Sequence, residues 1–351
     1  KGWIGGGNTG RNTTIIRSNY FHPESAALYD LSVSLYEGLS RELNYNIMFS
    51  QRGMIEVAHS EAELETMSRA ANAMRINGID IEIIGRDEVL RLAPLLARDL
   101  NVRWPVLGGL IQRRAGVARH DAVAWGYARA ADSLGVHIIQ NCEVTGFEIA
   151  HGRVTAVETT RGRIAADRFG MAVAGHSSVL AGMAGFALPL QSYTLQAMVS
   201  EPVKPCLDVV VASSSHGAYV SQSDKGELVM GGNLDRCPSY AQRGNFPVTQ
   251  SVVASLIEMF PAFASLKLMR QWGGIVDTSP DNSPILGPSP VEGLYLNCGW
   301  GTGGFKAIPA GGTLFAHILA TGRHHPISAP FDLKRFASGA TIDEGHAGVA
   351  H

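Results

Sequence analysis

The run Asn297 to Gly312, NCGWGTGGFKAIPAGG, decides how the rest of the chain is read. It follows the strand-like GLYLNCG and leads into a helical pattern from about Pro309 to Thr321, so strand, glycine loop and helix start come in immediate succession. Glycines permit positive φ and close backbone approach. The helix start presents free N–H groups and the positive end of its dipole. An electron-rich or anionic ligand suits such a place; the alternative is a glycine turn that merely packs strand on helix. Lys306 at the helix entry weighs against that alternative, because a cation there opposes the dipole and needs a negative partner.

Outward from this run, 40 glycines in 351 residues exceed the usual ~7 %. They concentrate at Gly5 to Gly10, at Gly108 to Gly116 and in the Gly299 to Gly312 loop. Residues 25 to 43 carry leucines on a helical period (Leu28, Leu31, Leu35, Leu39, Leu43). NIMFSQRGMIEVAH reads as two short strands about Arg52 and Gly53. A helix from about Glu61 to Ile76, a strand IDIEII and a helix from Asp87 to Pro94 follow. Asp121 is placed to cap the helix AVAWGYARAADSL, Gly135 ends it, and a strand VHIIQ begins at once, which makes half of a parallel βαβ unit. From Glu143 a meander of short strands turns at His151-Gly152 and Arg161-Gly162. Alternating segments through residues 193 to 235 predict a mainly antiparallel sheet, closed by a helix near 248 to 260. The expected fold is an α/β lobe and an α+β lobe, each built from discontinuous segments.

A net charge of −2 with scattered Lys and Arg gives no footprint for nucleic acid or an anionic membrane, and no apolar run reaches the ~18 residues of a membrane span. Four distant cysteines lack metal-ligand spacing and read as free thiols in a cytoplasmic setting, so no metal is expected. There is no GxSxG elbow, HExxH or P-loop. Arg17, just after the first glycine cluster, and Lys306 would together suit a carboxylate, although Arg17 taken alone reads more simply as part of a surface or structural ion pair. In RRAGVARHD, three arginines (Arg113, Arg114, Arg119) and His120 precede a helix. They would suit phosphate, but on the residues alone solvated arginines and a partly exposed helix-start histidine are the simpler reading. Asp277, Asp281 and Asn282 read as turn residues. His176 reads equally as structural or ligand-facing.

The segments GGGNTGRNTTIIRSNY, FSQRG, QRRAGVARHDAVAWGYARAA, YVSQSDKGELVMGG, WGGIVDTSPDNSPI and NCGWGTGGFK resemble the glycine-oxidase and sarcosine-oxidase group of amine-oxidising flavoproteins. Within that group the similarity is to the β subunits of heterotetrameric sarcosine oxidases, over essentially the whole length. The resemblance implies a discontinuous, Rossmann-like FAD-binding lobe (1–24, 108–185, 276–351) and an antiparallel substrate lobe (25–107, 186–275). It implies non-covalent FAD against Gly5, Gly6, Gly7, Asn8, Arg11, Asn12 and Thr13, against Gly175, and against Gly301, Thr302, Gly303, Gly304 and Phe305. Arg17 and Lys306 are its substrate-carboxylate binders. His120 is the histidine that carries a second flavin, FMN, covalently, with Arg119 and Arg114 beside it.

The implied activity is demethylation of sarcosine to glycine, with the one-carbon unit released as formaldehyde or passed to tetrahydrofolate, and with hydrogen peroxide as the other product. The implied partners are α, γ and δ subunits. A stand-alone oxidase or dehydrogenase of dimethylglycine or glycine, a non-catalytic subunit and a small-molecule-binding module are the rival readings. In the family a strand, GxGxxG and helix precede this point, whereas the chain begins at KGW; the resemblance therefore implies a truncated Rossmann unit that would not bind FAD tightly by itself. Thr14 stands where the monomeric enzymes carry a further arginine near the substrate, and Val229 where they carry an oxygen-activating lysine.

Overall fold

The computed structural model describes residues 1–232, 234–235 and 237–342. Strand β1 (Ile15–Ile16) follows the first glycine loop. Helix α1 (Pro23–Glu42) starts on proline, which fits the first turn where no N–H partner is lost, and buries a stripe with helical spacing that includes Leu28, Tyr29, Ser32, Tyr36 and Leu39. After β2 (Met54–Ala58), helix α2 (Glu61–Ile76) is capped by Ser60, whose hydroxyl accepts the Glu63 amide at 3.2 Å. Next come β3 (Glu82–Gly85), α3 (Arg86–Leu92), β4 (Gly108–Gln112), β5 (Gly116–Val117) and α4 (His120–Ser133). The meander is β6 (Val144–Ala150), β7 (Arg153–Thr159) and β8 (Gly162–Ala165), followed by β9 (Phe169–Met171) and α5 (Ser177–Met183). The second half holds β10 (Gln191–Pro202), β11 (Val210–Ser213), β12 (Ala218–Gln222), β13 (Glu227–Gly232) and α6 (Phe246–Met259). It ends with β14 (Leu268–Thr278), β15 (Ile285–Pro288), β16 (Leu294–Cys298), α7 (Ile308–Thr321) and α8 (Arg335–Ser338).

An eight-stranded sheet runs in the order β14-β10-β13-β12-β11-β2-β4-β3. All its pairings are antiparallel except β11 with β2. One face buries Ile55, Val57, Met198, Val220 and Leu228 against Val252, Leu256 and Met259 of α6. The other face looks toward the glycine loops. A three-stranded sheet, β15-β16-β9, pairs β16 with β9 in parallel and packs on α5. Helix α1 packs on α7 through Leu28, Tyr29, Leu314 and Phe315. An α/β layer therefore meets a large, mostly antiparallel sheet, as the sequence predicts.

Four local expectations give way. Only the second strand of NIMFSQRGMIEVAH forms: Ser50 makes a single bridge to Val117, and Gly53 at φ +82° separates it from β2. VHIIQ forms no strand, because no described strand pairs with residues 136–140, which stay exposed. Asp121 does not cap α4; Arg119 holds the cap position, and Asp121 sits in the first turn, where Oδ1 accepts the Ala122 amide. The division drawn at Gly108 cuts into the large sheet, since β4 lies between β2 and β3.

Candidate active site

A cavity of about 370 Å³ lies between the large sheet and the glycine loops. Met54 of β2, Ala197 of β10, Tyr219 of β12 and Val276 of β14 line it from the sheet side. Asn8, Arg11, Asn12 and Thr13 form a second wall; Trp300, Gly301, Thr302, Gly304, Phe305 and Lys306 form a third. The N-terminal loop is held in place from several directions. Asn8 Oδ1 accepts the Ile275 amide at 3.1 Å, Arg11 donates to the Gly6 and Gly7 carbonyls at 2.7 and 2.8 Å, and Thr13 Oγ1 lies 3.1 Å from the Tyr219 hydroxyl.

The glycine loop is shaped to let a ligand approach. Gly301 has φ +51° and Gly312 has open space where a side chain would project. Helix α7 has no side-chain cap and no acid in its first turn, and its early residues Ile308, Gly311 and Gly312 reach the cavity. Amides and a positive dipole end are thus turned toward the space, which suits an electron-rich ring or an anionic group. Gly301 holds a left-handed backbone that other residues resist and Gly312 leaves its side of the helix start bare, so the residues present fit a flat cofactor such as a flavin.

Arg17 and Lys306 also meet here, 4 % and 7 % exposed. Lys306 Nζ donates to the Thr302 carbonyl at 3.3 Å, and its own carbonyl accepts the Ser32 hydroxyl at 2.7 Å. Burial, and then the neighbouring Arg17 charge, push the Lys306 ammonium well below its ordinary range. Arg17 donates to Asn19 Oδ1 at 2.8 Å and lies 4.8 Å from the centre of the Tyr20 ring. Two buried cations that oppose each other lower their mutual repulsion when an anion arrives, and a carboxylate matches the guanidinium fork.

Other expected residues lie elsewhere. Gly5, Gly6, Gly7, Thr14, Gly175 and Gly303 do not line the cavity, nor does Val229. Thr14 is a left-handed turn residue (φ 67°) whose carbonyl accepts the Ala118 amide at 3.2 Å. Gly175 is required by packing, since a Cβ there would stand 2.3 Å from Ile275 Cγ2 and 2.7 Å from its carbonyl oxygen. Gly175→Ala is accordingly expected to cost about 1–3 kcal/mol of stability. A denaturation midpoint equal to that of the parent would contradict this.

His120 is the first residue of α4, partly buried and outside the cavity. Burial holds its imidazolium below the usual range, with Asp121 opposing and Arg119 assisting, so the ring is neutral at pH 7. Arg119 pairs with Asp121 at 3.0 Å and Asp224 at 3.4 Å. Arg114 is tied to Glu37 at 2.9 Å and Asp30 at 3.1 Å.

Asp277 is the main residue that pattern reading misses. It is the penultimate residue of β14, is buried at the cavity edge, and accepts the Gly299 amide on Oδ2 at 2.6 Å, which fixes the start of the glycine loop. Burial pushes its carboxyl up to about 6 against that hydrogen bond. The local signal, Asp-Thr-Ser-Pro-Asp, looks like turn chemistry; only the pairing of Thr278 with Trp300 brings Asp277 to Gly299.

Among known proteins, the FAD dependent oxidoreductase family matches residues 1–318. The sarcosine oxidase subunit beta of Rhodobacter capsulatus is 54% identical over 100% of this chain and 84% of its own length. That of an Arthrobacter species is 50% identical, covering 100% and 87%. Among solved structures, L-proline dehydrogenase from P. horikoshii superposes with a TM-score of 0.90 at 25% identity, over 97% of this chain and 90% of that one. Glycine oxidase from Geobacillus kaustophilus superposes at 0.84 with 21% identity, over 95% and 90%, a likeness of fold.

Proposed function

The chain belongs to the FAD dependent oxidoreductases and, within them, to the sarcosine oxidase β subunits, and from that premise we propose that it oxidises sarcosine as the β subunit of a multi-subunit enzyme. The observation that carries the proposal is the buried Arg17 and Lys306 pair, which shares one cavity with the glycine loop and the uncapped start of α7. When bound, FAD supplies the two-electron acceptor. Asn8, Arg11, Asn12 and Thr13 would hold it on one side, and Gly301, Thr302, Gly304 and Phe305 on the other.

The chain's own residues then act on the substrate. Arg17 and Lys306 bind the carboxylate, and the bound anion favours the protonated form of Lys306 that burial and Arg17 disfavour. Met54, Leu195 and Ala197 line the cavity with apolar surface and keep water from the reacting methyl group. The amine must enter oxidation unprotonated, because its lone pair forms the new C=N bond. Expected products are glycine, hydrogen peroxide and a one-carbon unit as formaldehyde or methylene-tetrahydrofolate. Incubating the assembled enzyme with sarcosine should release glycine; its absence would overturn the assignment.

His120 is proposed as the covalent FMN attachment. A neutral imidazole at an uncapped helix start, with Arg119 adjacent, offers a ring nitrogen for the bond and positive potential for an anionic isoalloxazine or phosphate. The proposal includes α, γ and δ partners, tetrahydrofolate as one-carbon acceptor, and a cytoplasmic complex, which the four free cysteines fit. Among the described residues no helix is long and apolar enough to cross a membrane. Acid precipitation of the holoenzyme is expected to leave yellow flavin on this chain, and His120→Asn to remove it. A colourless pellet from the parent enzyme sinks the FMN assignment.

A further inference from the structure

Glu56 sits in the middle of β2, paired with Ala212 of β11 and Leu110 of β4. Side chains alternate along a strand, so it shares a face with Met54, which lines the cavity. It is buried, and its two carboxylate oxygens are treated differently. Oε1 accepts the Ser214 amide at 2.7 Å and the Ser214 hydroxyl at 2.6 Å; Oε2 has no hydrogen-bond partner among the described residues. Buried acids are normally paired with a cation or fully hydrogen-bonded, and a half-satisfied one marks a group kept for something other than stability.

The charged groups that bear on Glu56 are Arg17, which attracts, and Glu63 of α2, which repels. Burial is the largest influence and brings its carboxyl to about 7. Beyond Glu63 lies a polar cluster. Glu63 accepts the His59 amide at 2.5 Å, and His59 and His216 share the Ser213 hydroxyl at 2.9 and 3.0 Å. Its outer contacts run to Glu258 and to the Trp104 and Pro105 carbonyls, away from Arg17. Glu56 faces the other way electrically, since the cation that favours its ionised form is the one read as the substrate's anchor.

We propose that Glu56 is a positioning residue that takes up a proton as the substrate's carboxylate settles on Arg17. The inference rests on the carboxylate site proposed above. Arg17 favours ionised Glu56; an anion arriving at Arg17 offsets that attraction and adds a like charge, so the proton affinity of Glu56 rises on binding. By reciprocity, ionising Glu56 weakens the hold on the carboxylate. Sarcosine's ammonium loses one proton to become reactive, and Glu56 gains part of one. No direct transfer between them is needed; uptake at Glu56 offsets part of the proton that the amine releases.

The test uses the holoenzyme and methoxyacetate, which has sarcosine's shape with an ether oxygen in place of the amine. Calorimetric titration at pH 7.5 in two buffers of different ionisation enthalpy counts the protons taken up. The parent enzyme is expected to take up more than Glu56→Gln, by on the order of half a proton per site. Between pH 6.5 and 8.5 the parent's affinity for methoxyacetate is expected to fall by up to about tenfold more than the variant's, one unit of proton affinity being tenfold in binding. Lys306 contributes a fall in the same sense, and only the part lost in the variant belongs to Glu56. Equal proton uptake in parent and variant overturns the inference while leaving the carboxylate site intact. Should the variant not fold, parent binding without any proton uptake across that range overturns it equally. Failure of methoxyacetate to bind at all overturns the carboxylate site and this inference together.

Discussion

Lys306→Met is expected to lower kcat/KM for sarcosine by about two to three orders of magnitude, the cost of removing one member of a buried charge pair from a bound carboxylate. Methionine keeps the length of the stem, so the packing beneath Ser32 and Thr302 survives. Because the carboxylate is gripped before and during oxidation alike, most of the loss is expected in KM and less in kcat. The empty protein should be no less stable than its parent. The ammonium is buried, among the described residues it makes no ion pair, and it faces Arg17, so deleting it removes a desolvation cost. Steady-state kinetics together with thermal melting separates the cases. A variant with parental kcat/KM would show that the substrate's carboxylate lies elsewhere.

The largest effect on stability is expected from Asp281→Ala, about 3–5 kcal/mol. Asp281 and Arg335 are each 3% exposed at the side chain. They form a two-pronged pair, Nε to Oδ2 at 2.8 Å and Nη2 to Oδ1 at 2.9 Å. The carboxylate also accepts the Ser279 hydroxyl at 2.9 Å and the Ile342 amide at 2.9 Å, while Arg335 donates to the Ser283 carbonyl at 2.9 Å. Truncation strands a buried guanidinium. Burial alone would raise the Asp281 carboxyl, but Arg335 and the Ile342 amide outweigh it and hold it below the usual carboxylate range. A depressed acid stabilises the fold above its ordinary pKa and loses that contribution as pH falls through the depressed one, so the penalty of Asp281→Ala should shrink in strong acid. Denaturant melts at neutral and acid pH check both statements. Replacing both partners by apolar residues of similar volume should recover most of the loss, and a single variant as stable as its parent would contradict the argument.

The elements legible from the chain were those whose signals are local. Ser60 three residues before Glu63 fixes the start of α2, and the turns at His151-Gly152 and Arg161-Gly162 fix the meander. VHIIQ has strand composition, but a strand exists only with a neighbour to bond, and pairing is not written in the segment itself. Within MIEVA nothing local marks Glu56 as buried. Sheet pairing on both sides and a covered second face bury it. Charge alone suggests Arg17 and Lys306 as a carboxylate pair, and the resemblance implies the same pairing. Their positions near opposite ends of the chain carry no spacing signal, and it is β1 and the turn before α7 that place both on one cavity.

The central claim is that one cavity presents both the flavin-facing glycine loop and a carboxylate anchor. It is tested most directly by adding sarcosine, and separately dimethylamine, to the oxygen-free holoenzyme and following the flavin absorbance. The two amines share the reacting N-methyl group and differ in the carboxylate. Rapid bleaching with sarcosine, and bleaching at least a hundredfold slower with dimethylamine at equal concentration, is the predicted result, on the order of the binding free energy that a buried charge pair supplies. Equal rates would contradict it.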